Sequence, residues 1–272
     1  MNRLRILWLT DTHFNNLFPW QRYSFMAKLR KEKPDAIFHT GDISNGIFLK
    51  RDLAMLASLN IPIFYIMGNH EKFWSSLEAT KEKVRQLHLQ YPNLYWLEDF
   101  EPIGLGDDDN EVCVIGADGW YDVAFGDPKW IKFTFDWFMI KEFRQLSSMK
   151  ERIEMFRSLA DESCRQIEEK LVKALDQNYK TIYLLTHMPA WKEATRDEGT
   201  MFEKFWLPYN TNIRLGKTIE KIMEGRKKRQ CHILAGHIHP HNGLYIRVSR
   251  NIDCQVGEGH YLGVPHSQKI YI

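Results

Sequence analysis

Five short polar clusters each close an apolar run: Asp11-Thr12-His13, Gly41-Asp42, Gly68-Asn69-His70-Glu71, a lone His187, and Gly236-His237-Ile238-His239. Every cluster offers a metal-competent or acid/base side chain. Asp11 and His13 are two apart, as are His237 and His239, and in an extended backbone that spacing directs both side chains to one side. Glycines before Asp42, Asn69 and His237 let the chain turn sharply and leave room for close approach. Carboxylate and imidazole without thiolate suit first-row divalent ions that keep positions open for water. Seven ligands, Asp11, His13, Asp42, Asn69, His187, His237 and His239, are too many for one ion and imply two ions sharing one carboxylate. Two-metal sites hold their ions ~3.5–4 Å apart, acidify a water to hydroxide near neutral pH, and clamp the attacking and leaving oxygens of a displacement at phosphorus. His70 neighbours a ligand in sequence yet is surplus to the count, which leaves it free to protonate the departing alkoxide.

Those clusters need a scaffold that gathers strand ends. The runs RILWLT (5–10), DAIFH (35–39) and IPIFYIM (61–67) alternate with helical periodicity in QRYSFMAKLRKE and RDLAMLASL. Such alternation predicts βαβ units with several parallel strands. In open α/β sheets ligands bind at the carboxyl edge of the strands, where these clusters fall. VCVIGAD (112–118), TIYLLTH (181–187) and CHILAGH predict further strands, the last preceded by a helix in TIEKIMEGRKKR. From about 141 to 176, apolar residues recur every three or four positions, which predicts a helix, broken once, laid across a sheet. The stretch before it is heavy in aromatics, with Trp120, Tyr121, Phe125, Trp130 and Trp137 among them. GLYIRVSRNIDCQVG to KIYI predicts short antiparallel strands. With no internal repeat and no clear linker, one domain over residues 1–272 is expected, carrying an aromatic and helical insertion at about 119–178.

Composition narrows the function classes. At 272 residues, 44% apolar and 26% charged, the chain can bury a sizeable core and is not of disordered composition. A formal charge of +2 is too near neutral for bulk capture of nucleic acid, and GRKKR (225–229) reads as a solvated helix end. Cys113, Cys164, Cys231 and Cys254 have no paired spacing, so neither a zinc knuckle nor a disulfide framework is indicated. The N-terminal apolar run is too short for a signal peptide and no later run could span a bilayer. A soluble, cytoplasmic protein is expected.

The succession DTH, GD, GNHE, H and GHIH, over residues 11 to 239, resembles the calcineurin-like metallophosphoesterases in order and spacing. Each block alone is weak, since Asp and Thr often cap helices and Asn tolerates turns; their joint order is specific. The resemblance implies a four-layer α/β/β/α sandwich, two mixed sheets with helices outside. It assigns Asp11, His13, Asp42 and His239 to one ion, makes Asp42 the bridge, and completes the second ion with Asn69, His187 and His237. His70 falls on the family's catalytic histidine. The implied cofactors are two divalent ions, Mn or Fe, with Zn, Ni and Co as alternatives.

Departures from the pattern point to a subgroup. Protein serine/threonine phosphatases carry GDxxDRG, whereas this chain has GDISNG, with Asn45 at the aspartate position. Asn45 cannot replace the tyrosine ligand of purple acid phosphatases, but it can orient His70 by a hydrogen bond. Lipid A pathway pyrophosphatases have arginine where His70 stands, and the family's double-strand-break nucleases add a capping domain. The small bacterial phosphodiesterase-like branch remains, acting on phosphomonoesters or phosphodiesters. Loops carry specificity, so Trp191, Arg196, Tyr209, Asn210, Asn212, Arg214 and His241 are candidates to hold substrate. His260, on a Gly-rich loop, is another. A nuclease, with nucleic acid only as substrate, and a non-catalytic scaffold are the alternatives; the first wants a basic groove and the second should have lost ligands.

Overall fold

The computed structural model describes residues 3–106, 111–195, 205–261 and 263–272, with Phe133 described in its backbone alone. One sheet consists of β1 (Arg5–Leu9), β2 (Ala36–Thr40), β3 (Ile63–Ile66) and β4 (Leu94–Trp96), all parallel, with β11 (Gln268–Tyr271) antiparallel beside β1. The other runs β5 (Ile103–Leu105), β6 (Val112–Gly116), β7 (Thr181–Leu185), β8 (Gln230–Ala235), β10 (Ile252–Val256) and β9 (Leu244–Ser249). It is parallel from β6 to β10 and antiparallel at both edges. Strands covered on both faces read as unbroken apolar runs, which is why RILWL, AIFHT and IFYI show no alternation.

Three buried layers follow. Between the sheets, Ile6, Trp8, Phe38, Phe64 and Ile66 meet Leu105, Val114, Leu185 and Leu234. Outside the first sheet, α1 (Pro19–Glu32), α2 (Leu49–Ala57) and α3 (Leu77–Gln90) bury Phe25, Leu29, Leu53, Leu56, Val84 and Leu87. The short α4 (Asp136–Met139) and α5 (Lys141–Arg144) precede α6 (Met149–Asp176), which lies with α7 (Ile213–Met223) over the second sheet through Ile167, Leu171, Leu215 and Ile219. The chain thus builds the expected sandwich of two mixed sheets between helices. The break in the long helical pattern falls at residues 145–148, where Ser148 restarts the helix in a capping box with Glu151. Aromatics before it form a cluster of their own: Tyr121 and Phe143 each pack on Phe156 at 4.7 Å between ring centroids.

Two local expectations need correction. The helix expected in TIEKIMEGRKKR is present with other bounds: α7 begins at Ile213, where the Asn212 side chain caps it, accepting from Leu215 N at 3.0 Å, and ends at Met223, so GRKKR lies past it. KIYI does pair antiparallel, but with β1 in the other sheet, and β10 pairs in parallel with β8. Among the described residues, no helix is long and apolar enough to cross a membrane.

The carboxyl edges of the two sheets are tied by a buried pair. Asp118, just past β6, accepts from Met67 N at 2.8 Å and Trp96 Nε1 at 2.7 Å, and meets Lys72 Nζ at 2.9 Å. Lys72 also donates to the Gly68 carbonyl at 2.7 Å. Charges this buried persist only when paired and hydrogen-bonded. The pair therefore fixes the turn that carries Asn69 and His70.

Candidate metal centre and its cavity

All five clusters meet where the carboxyl edges of the two sheets come together. Ligand atoms of Asp11, His13, Asp42 and His239 lie within 4.8 Å of one another, and so do those of Asp42, His187 and His237. Asp42 belongs to both groups. Its Oδ2 is 3.9 Å from His13 Nε2, 3.3 Å from His187 Nε2 and 3.7 Å from His70 Nε2. His239 Nε2 is 3.0 Å from Asp11 Oδ1 and 3.3 Å from His13 Nε2.

The route to this convergence differs from the one the spacing suggested. Asp11 and His13 are not extended; their φ values are 47° and 40°, and Asp42, His237 and His239 are left-handed too, at 54°, 73° and 46°. Each such non-glycine residue costs about 1–3 kcal/mol and persists where its surroundings over-determine it. Here they do: Asp11 N donates to Gly41 O, His13 N to Asp42 O, and His237 N to the Asp11 carboxylate. Tight turns, not a pleated strand, aim the side chains. Gly68 lies so close that a Cβ there would stand 2.1 Å from Asp42 Oδ1 and 2.6 Å from His187 Nε2. Glu71, fully buried, accepts from the backbone N–H groups of Asp42, Ile43, Ser44 and Gly68 and so fixes the loop bearing Asp42.

Electrostatics follow from burial and neighbours. Burial alone would raise the Asp42 carboxyl, but His187, His70 and His13 outweigh it and hold it well below the usual range. Asp11 is likewise held low by His239 against the effect of burial. Burial pushes His13 and His237 down to about 3, helped by His70 and His187 respectively, so both are neutral imidazoles with lone pairs to give. Burial opposes a charge on His187, but Asp42 lifts it to about 9, a proton that a bound cation would replace.

The donor set fits divalent ions. Asn69 Oδ1 is a buried acceptor without a hydrogen-bond partner among the described residues, and His187 Nε2 has no well-formed hydrogen bond there, only the Asp42 carboxylate 3.3 Å away. Such groups are costly unless something satisfies them. His187 Nδ1 is 2.8 Å from Thr40 O and His237 Nε2 is 2.8 Å from Tyr209 O, which fixes each tautomer and leaves the opposite nitrogen for a metal.

A cavity of about 810 Å³ opens over these residues. His70 lines it, with its ring 4.7 Å from that of His13 and 4.3 Å from that of Phe73. Asn45, Asn210 and His241 also line it. Asn45 does not orient His70: its Oδ1 accepts from Ile47 N and Phe48 N at 3.2 Å each, the local turn that an asparagine favours. Asn212 and Arg214 are corrections as well. Asn212 is fully buried, its Oδ1 capping α7 and its Nδ2 donating to Ala160 O at 3.3 Å. Arg214 is paired with Asp161 and is not part of the cavity wall. Trp191 is in the core against Glu220, and Arg196 lies outside the described residues. His260 and His266 both face Glu258, at 3.0 and 3.3 Å.

Sequence reasoning missed several walls. Asn15 and Asn16 lie within three residues of the DTH block, and Phe73 and Trp74 follow GNHEK, so proximity in sequence was the available signal. Phe135, Asp136 and Tyr261 come from distant segments with no motif to mark them. Tyr261 packs its ring 4.3 Å from His239 and 4.9 Å from His13.

The profile of the calcineurin-like phosphoesterases matches residues 4–241. The chain belongs to that family. It is accordingly a metal-dependent phosphoester hydrolase with a cluster of metal-competent residues. Among solved structures it is similar to a dimetal phosphatase from Danio rerio, at 12% identity and a TM-score of 0.54, covering 94% of this chain and 87% of that one. A Thermus thermophilus protein, TT1561, matches at 10% identity and a TM-score of 0.50, over 95% and 90%. The 5'-nucleotidase from Candida albicans SC5314 matches at 12% and 0.51, over all of this chain and 52% of that one. At identities this low the likeness shows the fold alone. No curated protein sequence matches the chain.

Proposed function

We propose that this calcineurin-like phosphoesterase hydrolyses phosphodiesters at a dinuclear centre, with Asp11, His13, Asp42 and His239 holding one ion and Asp42, Asn69, His187 and His237 the other. The observation that carries this reading is the membership of Asp42 in both ligand groups. Bound ions would supply an acidified water and neutralise charge on the phosphoryl oxygens. The chain's own residues do the rest. His70, above Asp42 at the cavity wall, is placed to give a proton to the departing oxygen. Glu71 and the Lys72–Asp118 pair hold the turns that carry the ligands. Mn or Fe suits the donor set, with Zn, Ni and Co as alternatives. The four cysteines are buried free thiols, in keeping with a cytoplasmic location.

The diester preference rests on the cavity. Its described lining contains neither lysine nor arginine, and Phe73, Trp74, Phe135 and Tyr261 make much of its wall. A diester brings one negative charge, which two ions and His70 can meet; a monoester dianion gains from a further cation, which the described lining does not offer. Aromatic faces suit a flat or apolar alcohol portion.

Two measurements test these points. Protein prepared with Mn²⁺ in excess is expected to hold close to two equivalents by elemental analysis, and a single tightly bound ion would sink the dinuclear reading. On bis-p-nitrophenyl phosphate, kcat/KM is expected to exceed that on p-nitrophenyl phosphate by at least about tenfold, the equivalent of ~1.4 kcal/mol. The reverse order would refute the diester preference while leaving the metal centre intact.

A further inference from the structure

The amide of Asn69 has a partner that the metal-binding blocks do not contain. Its Nδ2 donates to Asp136 Oδ1 at 2.8 Å, across 67 residues of chain. Asp136 opens α4 in the aromatic-rich segment and is 2% exposed. Its second oxygen is occupied on the other side: Tyr121 OH donates to Oδ2 at 2.7 Å and Thr134 Oγ1 at 2.6 Å. Tyr121 is itself fully buried against Phe156, so the carboxylate is held by the aromatic cluster. Meanwhile Asn69 Oδ1 is buried with no hydrogen-bond partner among the described residues.

We propose that Asp136 is a positioning residue of the metal centre, fixing the Asn69 side chain with its oxygen toward the second ion. An asparagine amide can turn over and present either its oxygen or its NH₂ to a given point. Only the first can bind a cation. A carboxylate at 136 accepts and cannot donate, so it selects the NH₂ and leaves the oxygen facing the Asp42–His187–His237 group. The segment between β6 and β7 therefore completes the second ion's site, although it supplies no ligand. Outer contacts of this kind alter metal affinity by about 10–100-fold when removed. This step rests on the reading of Asn69 as a ligand, and the test separates the two.

The test is a side-chain exchange, read by titrating the metal-free protein with Mn²⁺ alone in a calorimeter. Asp136→Asn is isosteric and keeps both hydroxyl partners on its amide oxygen, so it turns its NH₂ toward Asn69 and draws the Asn69 oxygen away from the ion. Second-ion affinity is expected to fall about 10–100-fold, with the first ion unaffected. Asn69→Asp alone sets two carboxylates against each other and is expected to be impaired too. In the double exchange, Asn69→Asp with Asp136→Asn, one oxygen of residue 69 accepts from the new amide and the other faces the ion, so affinity is expected to return to within a few-fold of the parent. A merely structural role for Asp136 would not be rescued from position 69. Parental affinity in Asp136→Asn, or a double exchange as weak as either single change, would overturn the proposal. Should Asp136→Asn fail to fold, the exchange against Asn69→Asp alone still decides. Asn69→Ala identifies the other failure: parental second-ion affinity there means that Asn69 is no ligand.

Discussion

Asp42→Asn is expected to remove the second ion and nearly all activity, and to do more damage than Asp11→Asn. The reason is electrostatic. Two divalent ions ~3.5–4 Å apart repel strongly, and the anion shared between them offsets that repulsion. A unit charge ~4 Å from another is worth about 4 kcal/mol at an effective dielectric of 20, so each divalent ion that loses the carboxylate's charge is expected to lose at least about 10³ in affinity. Asp42 reaches three imidazoles with a single oxygen and appears in both ligand groups, whereas Asp11 appears in one. Both variants should fold, because an asparagine oxygen can still accept the His70 N–H that Asp42 Oδ1 takes at 3.0 Å, and the His237 N–H that Asp11 takes. Metal content after Mn²⁺ loading and turnover on a diester are the readouts. Equal metal content and equal residual activity in the two variants would count against bridging.

The meeting of the five clusters was legible because their chemistry is local. Each cluster sits within a few residues of an apolar run, and a parallel strand gathers such run ends at one edge whatever lies between them. How the ligands converge was not legible. A period of two suggested extended backbone for Asp11 and His13, but both are left-handed turns whose conformation is imposed by hydrogen bonds to the loop after β2. The N-cap at Asn212 shows the opposite error: the residue type carried a helix-start signal and was taken for a substrate contact. Asn45 failed for a similar reason, since its side chain serves the turn in which it sits.

What stayed hidden is what long-range packing makes. Asp118 meets Lys72 across 46 residues and Asp136 meets Asn69 across 67, and nothing in the neighbourhood of Asp136 marks its carboxylate as belonging to the site. Asp118 does close an apolar run, as the ligands do, and that edge position was its one available sign. The three-residue strands β4 and β5 are likewise too short for a pattern of their own; pairing with β3 and β6 defines them.

His70→Ala is expected to keep both ions and to lose roughly 10²–10⁴-fold in turnover on a diester with a poor leaving group, such as an alkyl or unsubstituted phenyl ester, the usual worth of general acid catalysis. On p-nitrophenyl esters the loss should be far smaller, because nitrophenolate departs without needing a proton. The geometry suits a donor at the surface of the centre. The His70 side chain is 20% exposed, its backbone N–H is anchored on Asp42 Oδ1, and its ring stands against Phe73 at the cavity wall. It can therefore face solvent and substrate without leaving the shared carboxylate. Comparing the two esters separates proton donation from binding, since a lost binding contact weakens both substrates alike. Metal content should be measured on the same preparation, because the Asp42 carboxylate that His70 touches is also the proposed bridge. If the variant loses the same factor on both esters with two ions in place, His70 binds or orients the phosphoryl group, and the proton for the departing oxygen comes from solvent or another group in the cavity.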